Sequence, residues 1–439
     1  MQKKSILILG SGAREAAFAY QFANDGSYHV YVAPGNCLIG TLPNTELVPL
    51  SPTIENFQKL VNFVVEKDIR IVLPGPEDPL CNGLKDFFRR DKRVGQKYIK
   101  VIGPTMGAAK LESSKWWAKE FMQRHNIPTA KAKLFTSKNQ KTAIAYIKKH
   151  TLPIVLKADG LCGGKGVSIC HTHEEAVSEF ETMINGKFST ASKQVLVEEF
   201  MDGIEVSVFA LVSNGRYIML PEAKDYKRLC NDDEGPNTGG MGAVSPVPFM
   251  TQPLRDKIDA KIIKPTIDGM FHESEPYCGF LYAGLMIVNG EPFVVEYNCR
   301  MGDPETSVVL DRIDGQFVNL IEHAAMGTLY KVKLKPSETV SVAVVLASDG
   351  YPEKPNIDQK IIPIRMDLLR MIETGRILPA AIRETDHHNW KTTGGRVCVC
   401  IGTGVTFERA RMFAYNLAGS FEFYGKRCRS DIGNDVYNK

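Results

Sequence analysis

At 439 residues, with 44% hydrophobic and 24% charged residues, the chain is too long for one ordinary core and too apolar to be disordered, so about two to four domains are expected. Lys and Arg number 54 against 50 Asp and Glu, a net charge of +4 that gives no electrostatic reason to expect a nucleic-acid partner. No run approaches the roughly 18 apolar residues of a membrane span, and the ten cysteines lack any CxxC pair, so reduced thiols in a cytoplasmic protein are expected.

The first 112 residues alternate short apolar runs with helical stretches. Ile6–Leu9, His29–Ala33, Ile69–Pro74 and Tyr98–Gly103 each end at or just before Gly or Pro. This is the pattern of βαβ units around a parallel sheet, an α/β domain. The opening MQKKSILILGSG has the outline of a signal peptide, but its apolar run covers only Ser5 to Leu9 and stops at glycines, so a buried strand is the better reading. Ligands of such sheets sit beyond the carboxyl ends of the strands. The turns there are Gly10-Ser11-Gly12-Ala13-Arg14-Glu15, Pro34-Gly35-Asn36 and Pro74-Gly75-Pro76-Glu77. A glycine loop opening a helix can bring backbone N–H groups to a phosphate. Glu15 stands where a dinucleotide fingerprint has its third glycine, so a sugar phosphate held by Gly12, Arg14 and Glu15 is one reading and a plain tight turn is the other.

Residues 113–327 change character, with longer strands and two Asn-Gly hairpin signals at Asn214-Gly215 and Asn289-Gly290. This predicts α+β architecture. Leu152–Lys157 places a lysine at the end of an apolar strand, followed by Ala158-Asp159-Gly160-Leu161-Cys162-Gly163-Gly164-Lys165-Gly166. Such a mobile loop can close its amides over phosphate oxygens, with Lys165 as a point charge. It is not a Walker A loop, because Lys165 is followed by Gly rather than Ser or Thr. A solvated hairpin is the bland alternative. Val195–Met201 then ends a strand in Glu198 and Glu199, where an interdomain hinge through Phe200 and Met201 could read adenine and Glu205 the ribose hydroxyls.

Downstream, Asp225-Tyr226-Lys227-Arg228 precedes the polar stretch Gly235–Ala243, in which Asn237, Thr238, Gly239, Gly240, Met241 and Gly242 could offer amides and side chains to a small zwitterion or a phosphate; an ordinary surface loop is the alternative. In Phe293–Glu305, period-two alternation puts Glu296, Asn298 and Arg300 on one strand face. Carboxylate and amide oxygens suit magnesium, and the arginine suits a carboxylate or a transferring phosphoryl group. The last hundred residues predict strands at Ser341–Leu346 and Arg396–Ile401 and a helix near Thr406–Leu417, a small α+β domain.

The runs KADGLCGGKGV, VEEFMDGIEVS, DYKR, GPNTGGMGA, GFLYAGLM, EYNCRMGDPE, GGRV and DIG, collinear from Ile6 to about Gly433, resemble the phosphoribosylamine–glycine ligase family of ATP-grasp enzymes. The resemblance implies a Rossmann-like domain over residues 1–112, an ATP-grasp domain over 113–327 with a mobile lid at about 132–200, and a C-terminal domain over 328–439. It implies an ATP-dependent carboxylate–amine ligase of purine biosynthesis, using Mg2+ or Mn2+, and leaves monomer or homodimer open. By residue, it implies Lys115 and Lys157 as ATP-phosphate lysines, Glu198–Met201 as the adenine hinge, Glu205 at ribose, and Glu296 and Asn298 as metal ligands. Asp225, Lys227, the Asn237–Gly242 loop and Arg300 would surround glycine and the reacting phosphate; Arg14, Asn36 and Glu77 would face phosphoribosylamine. The family's first loop reads GxGGREH, whereas this chain has Ala13 and Ala16 within GSGAREA, and Ser307 replaces the usual Glu, Gln or Thr. A paralogue using another amine, or a non-catalytic nucleotide-binding protein, would carry many of the same residues.

Overall fold

The computed structural model describes residues 3–363, 368–386 and 389–437. The N-terminal sheet is fully parallel, in the order Thr45–Leu47, Tyr28–Pro34, Lys4–Gly10, Ile71–Pro74, Lys100–Val101. Its strands are apolar on both sides because both faces are covered. Ile6 and Ile8 enter one core with Phe18 and Phe22 of the helix Ala13–Asp25; Leu7 and Leu9 enter another with Phe57, Leu60 and Val64 of the helix Phe57–Glu66. Each of the four expected runs contains a strand, though within Tyr98–Gly103 only Lys100–Val101 pairs. The fifth, Thr45–Leu47, has only three residues and left no periodic signal. Chain order reverses at Lys4–Gly10, so the loop Gly10-Ser11-Gly12 lies at the switch point where a ligand crevice opens.

The next unit is an antiparallel sheet ordered Ala132–Thr136, Gln194–Glu199, Ile154–Ala158, Val167–Cys170. It has its own core, in which Phe135, Leu156 and Val197 pack against Ile147 and Phe180 of the helices Gln140–Ile147 and His173–Thr182. A second antiparallel sheet runs Arg216–Met219, Ile204–Ser213, Gly279–Val288, Glu291–Asn298. Both Asn-Gly turns form as expected: Asn214, Gly215, Asn289 and Gly290 have φ of 54°, 71°, 50° and 77°, the left-handed pair that a type I′ hairpin needs.

A third sheet joins distant stretches of chain: Lys224–Asp225, Gly242–Ser245, Val340–Ala347, Arg396–Gly404, Ile377–Pro379. The helix Phe407–Ala418 packs on it. The C-terminal strands expected at Ser341–Leu346 and Arg396–Ile401 are therefore present; the first pairs with Gly242–Ser245 from the middle of the chain, and the second lies between it and Ile377–Pro379. No helix among the described residues is long and apolar enough to cross a membrane.

Candidate active site

The units meet around a cavity of about 1180 Å³. Its floor is the end of the strand Glu291–Asn298. Glu296, Asn298 and Arg300 all line it, as alternation predicts. Strict alternation would also turn Val294 toward the cavity, yet Val294 lies in the core with Tyr297. The cause is a register shift opposite Gly284 and Leu285: Gly284 pairs with Glu296 and Leu285 with Val294, so Val295 is bulged out. A bulge re-aims the side chains beyond it. It also frees the Val295 carbonyl, which accepts a hydrogen bond from Lys157 Nζ at 3.1 Å.

Charge is dense on this floor. Burial works to raise the Glu296 pKa, but Lys227, Lys115, Lys157 and Arg300 outweigh it and hold the carboxyl below its ordinary value. An ionised carboxylate and an amide oxygen side by side, facing a cavity with room for phosphates and water, fit a hard divalent cation. Arg300 is clamped by two acids. Its Nε donates to Glu77 at 3.0 Å, and its Nη2 pairs with the buried Glu112 at 2.9 Å, whose other oxygen accepts from the Cys299 amide at 2.7 Å. Sequence reasoning missed Glu112, which sits in the four-residue helix Lys110–Ser113 with no pattern to mark it.

Another wall comes from the sheet that holds the lysine-glycine segment, through Lys157, Gly163, Gly164, Glu198, Phe200 and Met201, joined by Lys115 of the helix Lys115–Arg124 and Glu205 of the strand Ile204–Ser213. Glu198 is almost wholly buried and lies 2.9 Å from Lys157 and 3.4 Å from Lys119. Its other oxygen, Oε1, has no hydrogen-bond partner among the described residues. Burial lowers the Lys119 pKa to about 8 despite the attraction of Glu198. Lys119 was not anticipated, since from the sequence it reads as one more charge on the amphipathic helix Lys115–Arg124. Glu199 and Lys165 do not reach the wall. Glu199 is exposed beside Lys131, and Lys165 Nζ donates to the Pro352 carbonyl at 2.8 Å.

The third wall is the acceptor loop. Thr238 folds back on the Asp225–Arg228 stretch, its amide and hydroxyl donating to the Lys227 carbonyl at 2.7 and 2.8 Å. Asp225, Lys227, Asn237, Thr238 and Gly239 reach the cavity, whereas Gly240, Met241 and Gly242 form the loop's back. At Gly240, with φ of +106°, a Cβ would meet Asp225 Oδ1 at 2.7 Å, so only glycine permits this approach. Asp225 Oδ1 has no hydrogen-bond partner among the described residues, and burial, reinforced by the nearby Glu305, pushes its pKa well up. Lys227 pairs with Glu205 at 3.0 Å. Burial disfavours its ammonium, but the surrounding acids, Glu205 first, hold its pKa well above the ordinary value. Glu305 and Arg396 also line this wall and were not anticipated.

At the N-terminal loop the sequence reading is only partly met. Arg14 and Glu77 line the cavity. Gly12, Glu15 and Asn36 do not. Glu15 turns back under the loop, accepting from the Gly12 amide at 2.6 Å and from Arg14 Nε at 2.8 Å. A Cβ on Gly75 would come within 1.8 Å of its carboxylate, so Glu15 props two turns rather than facing a ligand. The Asn36 carboxamide is used by Ser11, Leu38 and Ile39 and reaches the carbonyls of Pro379 and Ala380. Ala13 and Ala16 are buried in the core, away from the wall.

Three family profiles match in chain order: the phosphoribosylglycinamide synthetase N domain over residues 4–112, its ATP-grasp (A) domain over 113–306 and its C domain over 341–435. A phosphoribosylamine–glycine ligase from Vibrio cholerae serotype O1 is 41% identical over 431 residues, 98% of this chain and 97% of the relative. The crystal structure of a phosphoribosylamine–glycine ligase from Thermotoga maritima superposes with a TM-score of 0.83 at 34% identity, covering 98% of this chain and 100% of that one. The biotin carboxylase domain of a 2-oxoglutarate carboxylase from Hydrogenobacter thermophilus, solved with MgADP, ADP and bicarbonate, reaches a TM-score of 0.72 at 17% identity, covering 98% and 92%; that likeness is one of fold.

Proposed function

Because the chain belongs to the phosphoribosylglycinamide synthetase family, we propose that it is an ATP-dependent ligase joining glycine to 5-phospho-β-D-ribosylamine in purine biosynthesis, releasing ADP and phosphate. One observation supports the chemistry most directly. The glycine loop and the acceptor loop meet, a Cβ on Gly164 coming within 3.6 Å of the Thr238 carbonyl, and both line the cavity that Glu296 and Asn298 also line. This supports a reading in which a nucleotide phosphate and a small carboxylate meet at one point.

A carboxylate does not acylate an amine at neutral pH, so it must first be activated. The glycine carboxylate attacks the γ-phosphorus of ATP, ADP leaves, and glycyl phosphate forms. The ribosylamine nitrogen then attacks the acyl carbon and expels phosphate. Such transfers need positioning and charge neutralisation more than covalent help from the protein. Lys115 and Lys157 sit at the phosphate end, and the hinge through Met201 faces the base. Glu296 and Asn298 would hold Mg2+ or Mn2+, which when bound neutralises phosphate charge. Arg300 meets the glycine carboxylate and the moving phosphoryl group. Asp225 suits the glycine ammonium, a cation that would offset the burial and the Glu305 charge that push its pKa up. Arg14 and Glu77 lie toward the ribosylamine.

The test is an assay for glycinamide ribonucleotide with substrates omitted singly. Product and ADP are expected only when ATP, glycine, divalent metal and phosphoribosylamine are all present. ADP with a different amine and none with phosphoribosylamine would select a paralogue. Nucleotide binding without turnover would select a non-catalytic role.

A further inference from the structure

The lysine of the glycine loop has a partner that phosphate binding does not explain. The loop Cys162–Lys165 closes on itself, the Lys165 amide donating to the Cys162 carbonyl at 3.0 Å, with Gly163 and Gly164 at φ of 55° and 78°. That geometry carries the Lys165 side chain off the cavity wall to the Pro352 carbonyl, 187 residues away, at 2.8 Å. Pro352 belongs to a tight turn of the C-terminal region, in which the Tyr351 amide bonds Ser348 and the Lys354 amide bonds Gly350.

The same turn grips the acceptor loop. The Gly239 amide donates to Tyr351 Oη at 2.9 Å. The Gly239 carbonyl accepts from Arg396 Nη1, which also reaches the Asp303 carbonyl at 2.6 Å and pairs with its carboxylate at 3.3 Å. Space has been left for this: a Cβ on Gly395 would strike the Tyr351 ring at 2.2 Å. One turn therefore holds the glycine loop through Pro352 and the acceptor loop through Tyr351.

We propose that Lys165 is a positioning residue whose bond to Pro352 latches the glycine loop onto the turn that holds the acceptor loop, coupling closure over ATP to a correctly placed acceptor site. The proposal rests on the ligase reading. Its consequence lies in the fate of the acyl phosphate. If the loop swings open before the amine attacks, water adds to the acyl carbon and the bond to the phosphate oxygen breaks. Glycine and phosphate leave, and the net reaction is ATP plus water to ADP plus phosphate. A closed loop suppresses this by excluding water.

The experiment measures ADP released per glycinamide ribonucleotide formed in wild type, Lys165→Met, Lys165→Arg and Tyr351→Phe. The ratio should be near one in wild type. It should rise about three- to tenfold in Lys165→Met and in Tyr351→Phe, the population shift expected when one hydrogen bond of a two-state latch is lost. The KM for ATP should stay near wild type in Lys165→Met, and arginine, which can still donate to the carbonyl, should restore coupling. A KM for ATP raised about tenfold in Lys165→Met with the ratio unchanged makes Lys165 a direct phosphate ligand and overturns the latch. An unchanged ratio in Lys165→Met or in Tyr351→Phe, or failure of the arginine variant to restore coupling, also overturns it. A wild-type protein that forms no glycinamide ribonucleotide overturns the ligase reading itself, a distinct result.

Discussion

Glu296 concentrates the site's chemistry in one side chain. Four cations hold its pKa below the ordinary carboxylate value, against the opposing pull of burial. Glu296→Gln keeps the shape and one oxygen but removes the charge that a divalent cation needs. Turnover should fall about 10²- to 10³-fold, the usual cost of losing one preorganised electrostatic contact, while ADP affinity changes little. Steady-state kinetics and calorimetry with ADP check the two halves separately. Glu77 offers a test in pH. Burial works to raise its pKa, yet Arg300 and then Arg14 outweigh this and hold it at about 2, against an ordinary 4.5. The folded chain therefore binds fewer protons at Glu77 than the unfolded chain between those values. The resulting stabilisation, about 3 kcal/mol, is fully present above pH 4.5 and is lost as pH falls toward 2. Glu77→Gln should be less stable than wild type at pH 7 by an amount of that order, and the deficit should shrink below pH 4.5. Urea unfolding from pH 7 to 3 measures this, and a constant deficit would contradict the pairing with Arg300.

Strands and helices set where these groups point, and some of that was readable in advance. The Asn-Gly turns announced both hairpins because the left-handed φ they need is tolerated by few residues. Alternation placed Glu296, Asn298 and Arg300 together. It could not reveal the bulge at Val295, because an unpaired residue depends on the partner strand's register. Glu112, Lys119 and Glu305 stayed hidden, since each becomes notable only through a neighbour distant in sequence, as Glu112 does through Cys299. Glu15, Asn36 and Lys165 misled for the converse reason: polar residues near strand ends can satisfy their hydrogen bonds within the protein. Close packing between elements was equally invisible. In the strand Arg396–Gly404, a Cβ on Gly402 would lie 2.0 Å from the Ala410 carbonyl oxygen and 2.3 Å from the Ala414 amide nitrogen of the helix Phe407–Ala418. Backbone cannot yield as a flexible side chain does. Gly402→Ala should cost about 1–3 kcal/mol or more as the helix is pushed off the sheet, read as a lowered melting temperature.

At the scale of the whole molecule, the sheet that spans residues 224 to 404 decides what can stand alone. The boundary expected near residue 327 would divide the chain but not this sheet. Gly242–Ser245 takes its hydrogen bonds on one side from Val340–Ala347, pairing Gly242 with Val344 and Ser245 with Ser341. Ala243 and Val244 are fully buried there. The C-terminal segment adds a second tie. Arg429, 2% exposed at its side chain, pairs with Asp233 and Asp431 at 2.7 Å and lies over the Tyr226 ring, while Tyr226 Oη donates to Asp435 at 2.5 Å. Asp225 and Lys227, which flank Tyr226, are thus held by groups from the far end of the chain. A chain ending at residue 327 would leave Gly242–Ser245 as an unpaired apolar edge, the arrangement that promotes association between molecules. It should aggregate or melt well below the full-length protein and should fail to bind glycine. The sheet of Ala132–Thr136, Ile154–Ala158, Val167–Cys170 and Gln194–Glu199 should persist in it, because among the described residues its core contains none beyond Val197. Hydrogen exchange distinguishes the two regions: protection is expected to survive at Ile154–Ala158 and to vanish at Gly242–Ser245. Supplying residues 328–439 as a separate chain should restore that protection and glycine binding together, since the missing partner strand, Arg396 and Arg429 all return with it.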